Sequence, residues 1–173
     1  YTIEPTLIEE KVTSKTVGII PVHLYGHPCD MSPILNIAKK FGLWVLEDCA
    51  QAHLSKYFGK FVGSFGNAGT YSFYPGKNLG AMGDAGAIVT NNSELSKNME
   101  KYARHGGLTK HTHEIEGINS RMDGIQAAIL NVKLKKLHKW TELRNQLAQN
   151  YSKVLSYLPD VKTPVTNLNV EHS

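Results

Sequence analysis

The stretch VGIIPVHLYGHPCDMSPILNIAKKFGLWVLE, Val17–Glu47, decides the fold class. Its opening run, Val17–Leu24, is apolar and rich in β-branched residues. Gly26 bounds it, and it predicts a buried strand. Ser32 can cap a helix through Lys40, with Ile34, Leu35, Ile37 and Ala38 on one face. Gly42 stands where a helix stop belongs. Leu43–Glu47 predicts the next strand. Strand, helix and strand in about thirty residues form a βαβ unit, which implies a parallel sheet and an α/β fold.

Outward from that unit, Tyr1–Lys15 is polar, with a short helix expected over Thr6–Thr13. Between Gly59 and Gly86 lie eight of the fifteen glycines, so this stretch reads as tight turns around one strand, Gly69–Tyr74. Ala85–Thr90 predicts a further strand, and Ser93 a helix cap for a segment reaching about Tyr102. His105–Gly117 is polar and irregular, a surface loop or flap. Ser120 and Asp123 form an S-x-x-D helix opening. Apolar residues at helical spacing from Ile125 to about Leu158 then predict a helix of more than thirty residues, with a bend or break within it. Pro159–Ser173 reads as loop.

A length of 173 residues gives room for one domain. Hydrophobic residues at 41% and charged residues at 20% permit a packed core and exclude global disorder. The net charge of +4 suits a small anionic substrate and is too weak to argue for nucleic acid. No apolar run approaches the roughly 20 residues of a membrane span. Cys29 and Cys49 lack CxxC spacing and read as reduced thiols of a cytosolic protein.

Three segments carry candidate chemistry. In Glu47–His53 (EDCAQAH), Asp48 and Gln51 fall where a predicted parallel strand ends, which is where open α/β sheets bind ligands. An Asp there can meet a cation or a protonated nitrogen, or it can cap the next helix. In Ser72–Gly80 (SFYPGKNLG), Lys77 follows a strand and sits between glycines that allow close backbone approach. A partly desolvated Lys can form a Schiff base; a surface Lys in a turn is the alternative. The Walker A spacing is not met, since residue 72 is Ser and residue 78 is Asn. In Gly117–Asp123 (GINSRMD), Asn119 and Arg121 precede a helix N-terminus and suit a phosphate, although capping and an ion pair explain them equally. His111 and His113 lack a third ligand at metal spacing, so no metal site is assigned. Lys133, Lys135, Lys136 and Lys139 read as a solvated helix face.

In combination these segments are far more specific. The order VHLYG (Val22–Gly26), DM (Asp30–Met31), EDCAQA (Glu47–Ala52), SFYPGKNLG (Ser72–Gly80), GDAGAIVTN (Gly83–Asn91) and GINSRMDGIQAAIL (Gly117–Leu130) resembles the DegT/DnrJ/EryC1/StrS family of pyridoxal-phosphate-dependent sugar aminotransferases. The wording is most similar to the sugar 3-aminases. The resemblance implies an incomplete fold type I large domain: three layers, with a mostly parallel sheet and flanking helices. On that basis residues 1–122 belong to the cofactor-binding domain, 123–158 form a connecting helix, and 159–173 lead toward a small domain that is absent. The chain is expected to be a central part of an aminotransferase.

The resemblance also implies roles. Lys77 would hold pyridoxal phosphate (PLP) through a Schiff base. Asp48 would pair with the pyridinium nitrogen, Gln51 would stand near the ring and its phenolic oxygen, and Ser72 would bind the phosphate. Asn119 would reach the phosphate of a second subunit, making the active form a homodimer. His53 stands two residues beyond Gln51, within reach of supporting the site. The implied reaction moves an amino group from L-glutamate to a nucleotide-linked keto sugar, a dTDP-3-oxo-6-deoxyhexose by preference, in the cytoplasm, for a lipopolysaccharide or antibiotic sugar. Sugar 4-amination, PLP-dependent dehydration and a non-catalytic homologue are the alternatives. Leu54-Ser55 departs from the usual Gly-Ala, and Arg104–Gly107 departs from the usual Arg-Asn-(Tyr/His)-Gly, which bears on the flap and its substrate contacts.

Overall fold

The βαβ unit forms, with its first strand shorter than its apolar run. The computed structural model describes residues Tyr1–Ser173. In chain order the elements are β1 (Gly18–Ile19), α1 (Met31–Phe41), β2 (Trp44–Asp48), β3 (Lys56–Tyr57), β4 (Lys60–Phe61), β5 (Ala68–Ser72), β6 (Gly86–Val89), α2 (Ser93–Ala103), α3 (Gly124–Leu155) and β7 (Val170–Glu171). Pro21 has no N–H to give to a ladder, and continuous pairing ends before it. Contact with β2 continues through single bonds instead: the Asp48 N–H donates to the Pro21 carbonyl and the His23 N–H to the Asp48 carbonyl. Leu24–Gly26 then turns as a short 3-10 segment, so the eight-residue strand expected over 17–24 is cut to the two residues of β1.

The main sheet has the order β1-β2-β5-β6. Its first two pairings are parallel, and β5–β6 is antiparallel. One core cluster joins α1 (Met31, Ile34, Ala38) to Ile19 of β1, Val45 of β2 and Tyr57 of β3. Gly42 ends α1 at φ 65°, a left-handed conformation that a residue with a side chain adopts only at a cost. Asp30 occupies the N-cap position expected of Ser32; the Tyr57 hydroxyl donates its one proton to Asp30 and accepts from the Ser32 hydroxyl at 2.9 Å.

A second cluster packs Leu130 and Leu137 of α3 against Leu79 and Ala81. α3 runs 32 residues, about 48 Å, with no internal break. Nothing after Gly124 interrupts it, since the segment contains no Pro and no further Gly. Lys133 differs from the expected solvated face: its amine donates to the Gly80 carbonyl at 2.6 Å. Two smaller features were not legible in the sequence. Thr6–Thr13 forms two 3-10 turns, Pro5–Leu7 and Glu9–Lys11, in place of one helix. The tail is not all loop, because β7 pairs with β3 and so adds to the β3–β4 hairpin.

Candidate active site

Each candidate is placed by a strand end. Asp48 is the last residue of β2 and opposes Thr70 of β5; Ser72 ends β5 two residues further on. Side chains alternate along a strand, and partners in register share a face, so Asp48 and Ser72 project from the same face of the sheet. One Asp48 oxygen accepts the Ala50 N–H at 2.9 Å, and the other has no hydrogen-bond partner. Gln51 accepts the Tyr25 N–H at 2.7 Å through its carbonyl oxygen, which leaves its amide N–H groups free. Ser72 accepts the Tyr74 N–H at 3.3 Å and keeps its own proton to donate.

Lys77 sits in a turn that leaves from Phe73 and returns to it. The Phe73 N–H donates to Ala85 at 2.8 Å, and the Ala81 N–H donates back to the Phe73 carbonyl at 2.7 Å. Within the loop the Lys77 N–H donates to Tyr74. Gly80 is required there, because a Cβ would fall 2.4 Å from the Pro75 carbonyl oxygen. Lys133 and Gln126 of α3 hold the turn's exit through the Gly80 carbonyl and the Met82 N–H. The Lys77 side chain is half-buried, and its amine has neither a hydrogen bond nor an ion pair.

Asn119 lies elsewhere. It is exposed, its backbone bridges to Arg104 beyond the end of α2, and no hydrogen bond links it to the other four candidates.

The sequence reading missed a buried network immediately behind Asp48. His23 and Glu47 are both fully buried and 3.1 Å apart. The Cys29 N–H donates to His23 Nδ1, so the ring proton sits on Nε2 and is given to Glu47. The same carboxylate accepts the amides of Gly63, Phe65 and Gly66 at 2.7–2.8 Å. Burial pushes the Glu47 carboxyl up, but these bonds from His23, Gly66, Gly63 and Phe65 outweigh it and hold it below its ordinary value. Cys49 Sγ completes a cluster whose ligand atoms lie within 4.8 Å of one another. Both His23 nitrogens are already engaged, and the thiol is pushed up by burial, so the donor set suits structure better than a metal ion. A Glu closing an apolar strand and a His inside an apolar run were the available sequence signals.

A free carboxylate oxygen, a free amide and a free hydroxyl stand at or just after the strand ends, and a free amine in the turn that follows β5; the chemistry of these donors suits pyridoxal phosphate. The mostly parallel sheet with its flanking helices is that of a fold type I large domain. The DegT/DnrJ/EryC1/StrS aminotransferase family profile matches residues 1–173, and the chain belongs to that family.

A pleiotropic regulatory protein of Geobacillus stearothermophilus is 51% identical over 90% of this chain and 42% of its own length. The dTDP-3-amino-3,6-dideoxy-alpha-D-galactopyranose transaminase of Aneurinibacillus thermoaerophilus is 49% identical over 97% and 45%. Crystalline DesV of S. venezuelae, in complex with a ketimine intermediate, superposes with a TM-score of 0.95 at 42% identity, over 99% of this chain and 46% of its own. NtdA of Bacillus subtilis, solved with bound cofactor PMP, gives 0.83 at 40% identity over 91% and 36%. Relatives named for UDP- and GDP-linked sugars match too. The chain spans about half the length of these relatives, between 42% and 45% of the two curated ones. No helix is long and apolar enough to cross a membrane.

Proposed function

We propose that the protein to which this chain belongs is a PLP-dependent aminotransferase acting on a nucleotide-linked keto sugar, with L-glutamate as amino donor. The observation that carries this reading is the unpaired Lys77 amine, half-buried in a closed turn that follows β5, the strand carrying Ser72 beside Asp48. When bound, the cofactor supplies an electron sink for the carbon that loses its proton. Lys77 holds the cofactor covalently through Nζ, and once released it takes up and returns that proton. The unpartnered Asp48 oxygen holds the proton on the ring nitrogen. Ser72 donates to the phosphate, and the free Gln51 amide orients the ring. The substrate preferred is a dTDP-3-oxo-6-deoxyhexose. The wording of Ser72–Ile88 supports it, while the UDP- and GDP-named relatives leave the nucleotide to experiment. The assembly proposed is a homodimer in which Asn119 serves the neighbouring subunit.

Loading the full-length protein with PLP should give a visible absorbance band that borohydride abolishes, with the reduced cofactor found on Lys77 by peptide mass spectrometry. Mass spectrometry of mixtures containing glutamate and a panel of dTDP- and UDP-keto sugars then identifies the substrate. The absence of a visible band, or labelling at another lysine, rejects the reading. Transfer to none of the sugars would favour a regulatory homologue.

A further inference from the structure

β7 delivers a residue to the turns that carry the candidate site. Glu171 pairs in register with Lys56 of β3, and its carboxylate meets the Lys56 amine at 2.8 Å. Asn145 of α3 donates to the His172 carbonyl at 2.9 Å. The two residues before Ser173 are thus held by different elements, and Ser173 itself is only 7% exposed.

Three turns converge on it. The Ser173 N–H donates to the Gly26 carbonyl at 3.3 Å, and the buried Ser55 hydroxyl donates to the same carbonyl at 2.7 Å. The Ser173 hydroxyl donates to the Gln51 carbonyl and accepts from the Asn78 amide, both at 3.4 Å. Each bond uses a separate capacity of the hydroxyl, its proton for one and a lone pair for the other. Gly26 closes the seat: at its φ of 86° a Cβ would fall 2.5 Å from the Ser173 hydroxyl oxygen and 3.1 Å from the Gln51 carbonyl oxygen. Its neighbour Tyr25 holds the Gln51 side chain, and Asn78 directly follows Lys77. No hydrogen bond runs directly between residues 49–55 and residues 73–81, so Ser173 is the polar link between them.

We propose that Ser173 is a positioning residue that clamps the Gln51 turn to the turn bearing Lys77. Its hydroxyl sets the spacing between the free Gln51 amide and the Lys77 amine. Bonds of this length between neutral groups add little stability. A shift of about 1 Å in a reacting group, by contrast, can cost about 10²-fold in rate. Loss of the hydroxyl therefore shows in the rate before it shows in the fold. The inference rests on reading Gln51 and Lys77 as cofactor residues, yet the clamp itself is measurable without cofactor.

Two measurements test it on the full-length protein. First, amide exchange is followed by NMR without cofactor. In Ser173→Ala the Ala52 and Lys77 amides, one in each turn, should exchange roughly threefold faster or more, with the amides of α1 unchanged. Unmoved exchange at both turns overturns the proposal. Second, with PLP bound, the rate at which L-glutamate abolishes the visible band is read per bound cofactor. It should fall roughly tenfold in Ser173→Ala and by a similar factor in Asn78→Ala. The double variant should be about as slow as the slower single one, because both changes break the same clamp. A wild-type rate in Ser173→Ala, or a double variant whose loss is the product of the two single losses, overturns the proposal. If Ser173→Ala does not fold, Asn78→Ala carries both measurements with the same expected outcomes. A wild-type protein with no visible band rejects the cofactor reading, and amide exchange then decides the clamp.

Discussion

Lys77 and Asp48 carry the proposed chemistry at the residue scale, and they fail differently when replaced. Lys77→Ala removes both the covalent anchor and the proton carrier, so single-turnover assays should detect no amino transfer. Asp48→Asn keeps the shape but no longer holds a ring proton; cofactor should still bind while most of the rate is lost. An unchanged rate would assign that work to another group. Glu47 fails structurally. In Glu47→Gln an N–H₂ replaces one acceptor and confronts amides that have nowhere else to donate. Hydrogen bonds to a charged group are worth about 1.5–3 kcal/mol each, so we expect a loss of roughly 3 kcal/mol in urea denaturation. A loss below about 1 kcal/mol would mean that loop 63–66 is held by something other than this carboxylate.

At the scale of elements, the caps separate expectation from outcome. The Asn92 side chain, and not Ser93, accepts the Glu94 and Leu95 N–H groups at the start of α2, both at 3.0 Å. Asn92→Ala should therefore cost about 1 kcal/mol in thermal or urea unfolding, and Ser93→Ala close to nothing. Equal effects would contradict the observed cap. α3 acts as a brace as well as a connector: its inner half buries Leu130 and Leu137, and its Lys133 fastens the exit of the Lys77 turn. Periodicity alone reads Lys133 as solvated, because it registers only the helix that bears the residue.

For the whole molecule, acid is the weak direction. Burial lowers the pKa of His53 and is the chief cause of the same shift in His27. Unfolded, these rings take up protons near 6.5, while the native state resists until a lower pH. Their contribution is complete above that value and is lost as pH falls below it. Glu47 adds a second stage: its contribution is present above about 4.5 and disappears as pH falls through its lower native value. Unfolding followed from pH 8 to pH 3 should show both stages; stability that is flat or rising on acidification would contradict the burial of these groups. Assembly has its own test. Mixing inactive Lys77→Ala and Asn119→Ala subunits should restore partial activity, because the mixed dimer has one site with both lesions and one with neither. No recovery after proven exchange would assign Asn119 to its own subunit or to no site.

Local chemistry made much of this legible from sequence. The βαβ unit, the αL stop at Gly42, the long helix and the strand-end position of Asp48 follow from periodicity, turn residues and alternation, which act over a few positions. The Lys77 turn was legible for the same reason, since Gly76 and Gly80 flank it in sequence. Tertiary structure alone decided the rest. It paired β6 antiparallel to β5 and brought β7 back over a long span to β3. It set His23 against Glu47 and left His53 without a partner beneath two aromatic rings. These facts depend on which surfaces meet after the chain has closed on itself. A buried polar group's partner is set by geometry between elements, and no local pattern encodes that.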